Sequence, residues 1–382
     1  GFGYSADEFF TVGYGGNGTG AGIGHDIWSL SSPYYDGLLM ETAIVMPGSG
    51  QSMPFYYSNT GGVASQTERT FAVSQNWAAS GIKTLAINVF GAAGNSGQLY
   101  IKINDIKVVA PSDVDIQKGG WQLWPIDLSA VAGNIEAVTS LTIGVEGASA
   151  SGLLYVDDIQ LYARDAEYVT PSEPDSAKLL AYYSFDGNAN DSSGSGVNGA
   201  EIGAPTYVAG TVGQAIAFNG FDDYVDIELD IPEDGGAVSF WFNTTDPDCG
   251  LYCAVDAVLG GGGHDRHVFL VNGNVGARIH NAGNIIGAGV NVADGQWHHV
   301  AHTFGAAVGG QKLYVDGLLV ASNAKAQSDF DWQKRVHIGF SNDGVNNYTD
   351  GMIDEARIYN TGLSLGEVGW LAGLTEPMVK PF

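Results

Sequence analysis

Basic side chains are scarce in this sequence. Fifteen Lys and Arg stand against 42 Asp and Glu, giving a net charge of −27. A chain so acidic is repelled by phosphate backbones and by anionic membrane surfaces, which excludes nucleic-acid binding. Long apolar runs are missing too, so membrane insertion is not expected. Nothing reads as a leader peptide, and the chain opens at Gly1 rather than Met. That reads as a processed form or an excised fragment. Only two cysteines occur, Cys249 and Cys253 in DPDCGLYC. The catalytic signatures GxSxG, P-loop, dinucleotide fingerprint and HExxH are all missing. GYGGNGTGAGIG is Gly-rich but opens no helix, so it is no phosphate cradle.

Glycine, in contrast, is abundant at 56 of 382 residues, without a collagen-like period. Hydrophobic residues make up 45% and charged residues 15%, a folded composition. Short strands joined by tight turns account for that much glycine. In LYIKINDIKV, Leu99, Ile101 and Ile103 alternate with Lys102 and Asn104, the period of a half-buried strand. Turn chemistry recurs in NTGG, AAGNSG and GASASG. The spacing predicts an all-β chain of two tandem β-sandwich domains of the jelly-roll kind. Domain boundaries are expected at 1–166, a Pro-containing linker at 167–178 (EYVTPSEPDSAK), a second sandwich at 179–365, and a helix and tail at 366–382. LYVDGLLV reads as a hairpin turning on Asp316-Gly317. SLGEVGWLAG carries a capping box, Ser364 with Glu367. The two halves share no motif that aligns.

Two distant acidic segments draw attention: LLAYYSFDGNAND and GMIDEARIY. In a closed sandwich the first and last strands often pair, which brings Asp186 and Asp354 together. Their charges repel unless a cation lies between them, and hard oxygen donors suit calcium. Asp191 completes the FDGNAND turn, and Asp222 with Asp223 in FDDY are further candidates. Asp157 and Asp158 in YVDDIQLY form a parallel case, with Asp158 counted among the metal ligands. Against this, acids in such turns also cap backbone amides with no metal, and an acid on an edge strand also blocks aggregation.

Cys249 and Cys253 lie in a Gly/Asp-rich stretch that reads as a loop. A small disulfide ring there implies an oxidising compartment. The alternative is zinc with His264 and His267 across a Gly run. Glycan recognition requires exposed rings flanked by polar groups. Candidates are Trp28, Tyr34 and Tyr35 in HDIWSLSSPYYDG, His264, Asp265 and Arg266 in the Gly-rich stretch, and Trp332, Asn342, Asn346 and Tyr348. For each aromatic taken singly, core packing competes with sugar stacking. Trp121, Trp124, Trp241 and Trp297 fall in strand patterns and read as core.

Several stretches carry a resemblance: YYSFDGNANDSSG, GTVGQAIAFNGFDDYVDI, VSFWFNTT, DGQWHHVAHTF, KLYVDGLLVAS, HIGFSND and DGMIDEARIYNTGLS. Together they resemble the laminin-G-like, concanavalin-A-like jelly rolls over nearly all of residues 179–365. The likeness implies two stacked antiparallel sheets, glycan or protein ligands, and calcium near the start and end of the domain. GSGQSMPFYYSNTGG, WQLWPIDLS and GLLYVDDIQLY resemble, more loosely, a galactose-binding-type jelly roll of bacterial extracellular proteins. The expectation is a secreted or cell-surface, non-enzymatic glycan-binding or adhesion protein holding Ca2+. The alternatives are a self-associating subunit of a sheath, appendage or filament, and a polysaccharide-cleaving enzyme.

Overall fold

The structure, a computed structural model, describes residues 21–25, 29–31, 37–131, 133, 135–256, 264–281, 284–328, 331 and 333–382. The chain divides into two compact units, Gly1–Tyr168 with Val379–Phe382, and Val169–Met378. The last four residues therefore rejoin the first unit. Phe382 stacks on Tyr162 with ring centres 4.0 Å apart, and Lys380 pairs with Glu167 at 2.8 Å.

In the first unit, period-two patterns became strands close to where they were expected. They are β1 (Ala21–Ile23), β2 (Met53–Ser58), β3 (Ser65–Gln75), β4 (Thr84–Phe90), β5 (Gln98–Ile103), β6 (Ile106–Val109), β7 (Trp121–Asp127), β8 (Val138–Glu146) and β9 (Ser151–Tyr162). One sheet runs β1-β2-β9-β4-β7 and the other β3-β8-β5-β6. Leu99, Ile101 and Ile103 meet Ile87, Leu141, Ile143 and Leu154 in one core. The two-sheet form agrees with the galactose-binding-type resemblance.

The second unit follows the short β10 (Tyr168–Val169) with β11 (Leu179–Tyr183), β12 (Ala200–Ile202), β13 (Thr206–Ala209), β14 (Gln214–Asn219), β15 (Tyr224–Glu228), β16 (Gly235–Thr244), β17 (Gly250–Val255), β18 (His264–Val271), β19 (Asn274–Arg278) and β20 (Ile285–Asn291). Next come β21 (His298–Gly305), β22 (Gly310–Val315), β23 (Leu318–Asn323), β24 (Arg335–Ile338), β25 (Asp350–Tyr359), helix α1 (Leu365–Leu371) and β26 (Met378–Val379). An eight-stranded sheet runs β13-β14-β25-β16-β21-β22-β23, with β11 also paired to β25. The seven-stranded sheet runs β12-β15-β24-β17-β18-β19-β20. Val225, Ile227, Val336 and Ile338 on one sheet and Phe240, Phe242 and Ile353 on the other are fully buried. Each such side chain contributes about 1.5–3 kcal/mol.

Local signals are obeyed. Asp316 (φ 50°) and Gly317 (φ 82°) both take left-handed backbone, the primed hairpin turn that joins β22 to β23. Ser364 accepts the Glu367 N–H, and Glu367 returns to the Ser364 N–H at 2.7 Å, so the capping box closes. The first and last long strands of the unit, β11 and β25, do pair.

Candidate functional site

β25 has β16 along one side. On its other side it has two half-partners. β14 pairs with Asp350–Ile353, and β11 pairs with Ala356–Tyr359. Between them lie Asp354 and Glu355, at a bulge where the register against β16 shifts and Glu355 takes φ 53°. The turn at residues 210–214 fills this gap. Asp354 Oδ2 accepts the N–H groups of Thr211 (2.8 Å) and Val212 (3.0 Å) and the Thr211 hydroxyl (2.8 Å). Asp186, just past β11, accepts the Gln214 N–H through Oδ1 at 2.7 Å. Glycine is needed where the carboxylates close in. A Cβ on Gly210 would stand 2.5 Å from Asp354 Oδ2, and one on Gly213 would stand 2.1 Å from Asp186 Oδ1.

Asp354 and Asp186 thus each bond one turn, at Thr211–Val212 and at Gln214, and backbone amides answer their charge. Asp354 is 0% exposed and its Oδ1 is buried without a hydrogen bond. Burial pushes its pKa up, against the bonds from Val212 and Thr211 that pull it down. That bare oxygen is the donor a hard cation would take. The rest of the expected cage is dispersed. Asp191 uses both oxygens within its own neighbourhood, on Tyr182 N, Ser193 N and Oγ, Gly196 N and Val197 N. Asp222 Oδ1 accepts Asn219 Nδ2 at 2.8 Å. Among the described residues no group of three or more His, Cys, Asp or Glu is placed to hold a metal ion.

The first unit repeats the device. In β9 the register against β4 shifts just past Asp157, and Asp158 takes φ 44°. Asp157, not Asp158, is the fully buried member. It accepts Met46 N–H (3.0 Å), the Ser49 hydroxyl (3.1 Å) and the N–H of Asp158 (2.7 Å). VDDIQLY and IDEARIY therefore match after all: a buried Asp, a left-handed acid, and a distant loop held by the carboxylate. Simple alternation misses this because the bulge breaks it.

The expected disulfide is a correction. Cys249 and Cys253 are free and buried. The stretch is not a loop but leads into β17, where Cys253 faces His337 across the sheet. Four residues of extended chain span about 13 Å, and a disulfide needs Cα atoms within about 7 Å. Burial pushes the Cys249 thiol up to about 12. The melting temperature should accordingly be the same with and without dithiothreitol. A closed ring would show a drop equivalent to about 2–4 kcal/mol.

The expected ligand-binding residues divide. Trp28, Tyr34, Tyr35 and Trp332 lie outside the described residues, as does the side chain of His264. Arg266 is another correction as a ligand contact. It is 2% exposed, and its guanidinium donates to Ile231 O, Pro232 O and Gln333 Oε1. Tyr348 is brought together with Asp222, whereas Asn342 lies by Cys253. The loop after β24 meets the turn between β14 and β15 through Gly220 N–H to Thr349 O at 2.9 Å. Asn219 Oδ1 pins that turn by accepting the N–H groups of Phe221, Asp222 and Asp223. Phe221 is left 77% exposed and Val345 73% exposed. Tyr348 is half-buried, edge-on to Phe340 at 5.0 Å. Burial and then the Asp222 charge raise its phenol. The rim therefore holds an outward ring on a rigid turn beside Asp222 and Tyr348, whereas Asn346 donates to Asp246 Oδ2 at 3.3 Å, away from that turn. Phe221 was hidden in sequence because FNGFDDY reads as a strand–turn–strand.

Residues 218–369 match the model of the concanavalin A-like lectin/glucanases superfamily. The second unit thus carries a concanavalin A-like domain. Solved structures similar to the chain include domain 4 of AbnA, a GH43 extracellular arabinanase from Geobacillus stearothermophilus, in complex with arabinotriose. It is 22% identical, with a TM-score of 0.42, over 51% of this chain and 98% of that one. The receptor binding domain of botulinum neurotoxin C/D mosaic serotype is 17% identical, with a TM-score of 0.40, over 52% of each chain. The binding domain of Paraclostridial Mosquitocidal Protein 1 is 16% identical, with a TM-score of 0.42, also over 52% of each. The chain spans about half the length of these last two. No curated protein matches it.

Proposed function

We propose that this protein is a non-catalytic, extracellular carbohydrate-binding protein whose concanavalin A-like domain takes a glycan at the Phe221–Tyr348 rim. The exposed Phe221 ring on its pinned turn carries the reading. A flat apolar ring in water next to Asp and Asn is what a sugar needs, a stacking face and hydroxyl partners. One calcium ion beside Asp186 and Asp354 belongs to the proposal, supported by the unbonded Asp354 Oδ1. Backbone carbonyls and water would complete its shell. Among the described residues no helix is long and apolar enough to cross a membrane.

A glycan array, read with and without EDTA, tests both parts. Binding is expected, and chelation should lower both signal and melting temperature, since a ligand held only by the native state stabilises it. A melt indifferent to EDTA sinks the calcium part alone. Phe221→Ala should weaken binding at the rim about tenfold in titration calorimetry with an unchanged melt. Equal affinity in that variant sinks the rim.

A further inference from the structure

Helix α1 covers only part of the outer face of the eight-stranded sheet, packing with Ala237, Ala301, Tyr314 and Tyr359. The same strands continue beyond it. In the next register row Tyr182 faces Arg357, and Arg357 faces Ser239. In the row after, Trp241 faces His299. Residues paired across strands project to the same side, so these side chains share one face. The bulge in β25 adds Glu355 to them. Its Oε1 accepts the Tyr182 hydroxyl and its Oε2 accepts Arg357, both at 2.6 Å.

This set is organised as a site rather than as packing. Arg357 lies 4.0 Å over the Tyr182 ring and is fixed there by Glu355. Trp241 is half-buried and edge-on to His299 at 5.4 Å. His299 Nε2 bonds Ser239 Oγ at 2.8 Å, while its Nδ1 is buried with no partner. A buried ring nitrogen left unpaired calls for an explanation. Glu355 keeps left-handed backbone at φ 53°, part of the bulge that brings its carboxylate to Tyr182 and Arg357.

We propose that this open part of the sheet binds a neutral pyranose residue of a glycan, with Trp241 as the stacking platform and the Glu355–Arg357 pair reading ring hydroxyls. Neutrality follows from charge. Arg357 is already balanced by Glu355, and a chain of net charge −27 repels acidic glycans. The inference rests on the carbohydrate-binding reading but uses different residues from the rim, so it predicts two sites per chain.

Titration calorimetry and native mass spectrometry on the full chain test it, using neutral gluco-, galacto- and manno-oligosaccharides with polygalacturonate as the acidic control. Wild type should take two equivalents of a neutral glycan. Trp241→Ala and, separately, Arg357→Lys should each remove one equivalent or weaken it about tenfold. The milder Arg357→Lys guards against misfolding of the tryptophan variant, and the melt of each is recorded. Phe221→Ala should leave the Trp241 equivalent in place. One equivalent lost only in Phe221→Ala overturns this site and leaves the rim standing. One equivalent lost only in the Trp241 and Arg357 variants supports this site and removes the rim. Preference for polygalacturonate overturns the neutral class, and no glycan bound at all overturns both readings.

Discussion

Between pH 6.5 and pH 5 the second unit should lose on the order of 3–4 kcal/mol of stability through His299 and His302. Burial pushes the first down to about 3 and the second to about 4, from an ordinary 6.5. Asp316 acts weakly against the shift at His299 and Gln311 against it at His302. Both folded-state values are depressed, so the unfolded chain binds the protons first. The stabilisation is complete above 6.5 and falls as the pH drops, by about 1.4 kcal/mol per unit for each ring. Asp354 opposes the trend, since a carboxyl raised by burial adds stability as it protonates. His298, where burial is outweighed by its bonds to Asp316 and Asp294, is raised and opposes the trend as well, whereas His337, lowered by burial, adds to the loss. Glu367 and Asp191, both lowered, add to the loss only in stronger acid. Melting temperature measured in half-unit steps should therefore fall from pH 6.5 downward, and His302→Gln should remove about half the slope. A flat profile from pH 7 to pH 5 contradicts two buried neutral imidazoles.

The second large effect is Asp354→Ala. The substitution deletes the acceptor of two amides and one hydroxyl in the turn that seals the gap beside β25. Donors left buried without partners cost about 1–3 kcal/mol each, and relaxation of the turn recovers part of that. A net loss of about 3 kcal/mol is expected, roughly 6–12 °C for a unit of this size. Asp354→Asn keeps one carbonyl acceptor and should lose about half as much. Asp222→Ala, on an exposed turn, should shift the melt by no more than about 0.5 kcal/mol. Differential scanning calorimetry of the three variants decides the ranking. An Asp354→Ala melt equal to that of Asp222→Ala contradicts the seal.

Much of the fold was legible because its causes are local. Alternation in LYIKI, the Asp316-Gly317 turn and the Ser364–Glu367 capping box each act within a few residues. What escaped depends on distant neighbours. LYCAV became a central strand because β18 and β24 flank it, whereas Cys and Gly beside Asp and Pro read as a loop. The bulges at Asp157 and Asp354 arise where a distant loop competes for a carboxylate, and D-D or D-E alone does not announce that. Trp241 lies in a strand, but the core reading does not hold, since the ring is only half-buried. It faces outward because Phe240 and Phe242 already occupy the inner side, and both neighbours are apolar in a plain reading.

The split partnership of β25 sets a timetable. It is among the last strands in the sequence, yet β11, β14 and β16 all depend on it. As the chain leaves a ribosome, three earlier strands wait with open edges until residue 359 has emerged. Such long-range closure is slow, and waiting edges invite pairing between nascent chains. Production of this protein should therefore respond to synthesis rate and to chaperone supply more than a catalogue of its native contacts would suggest.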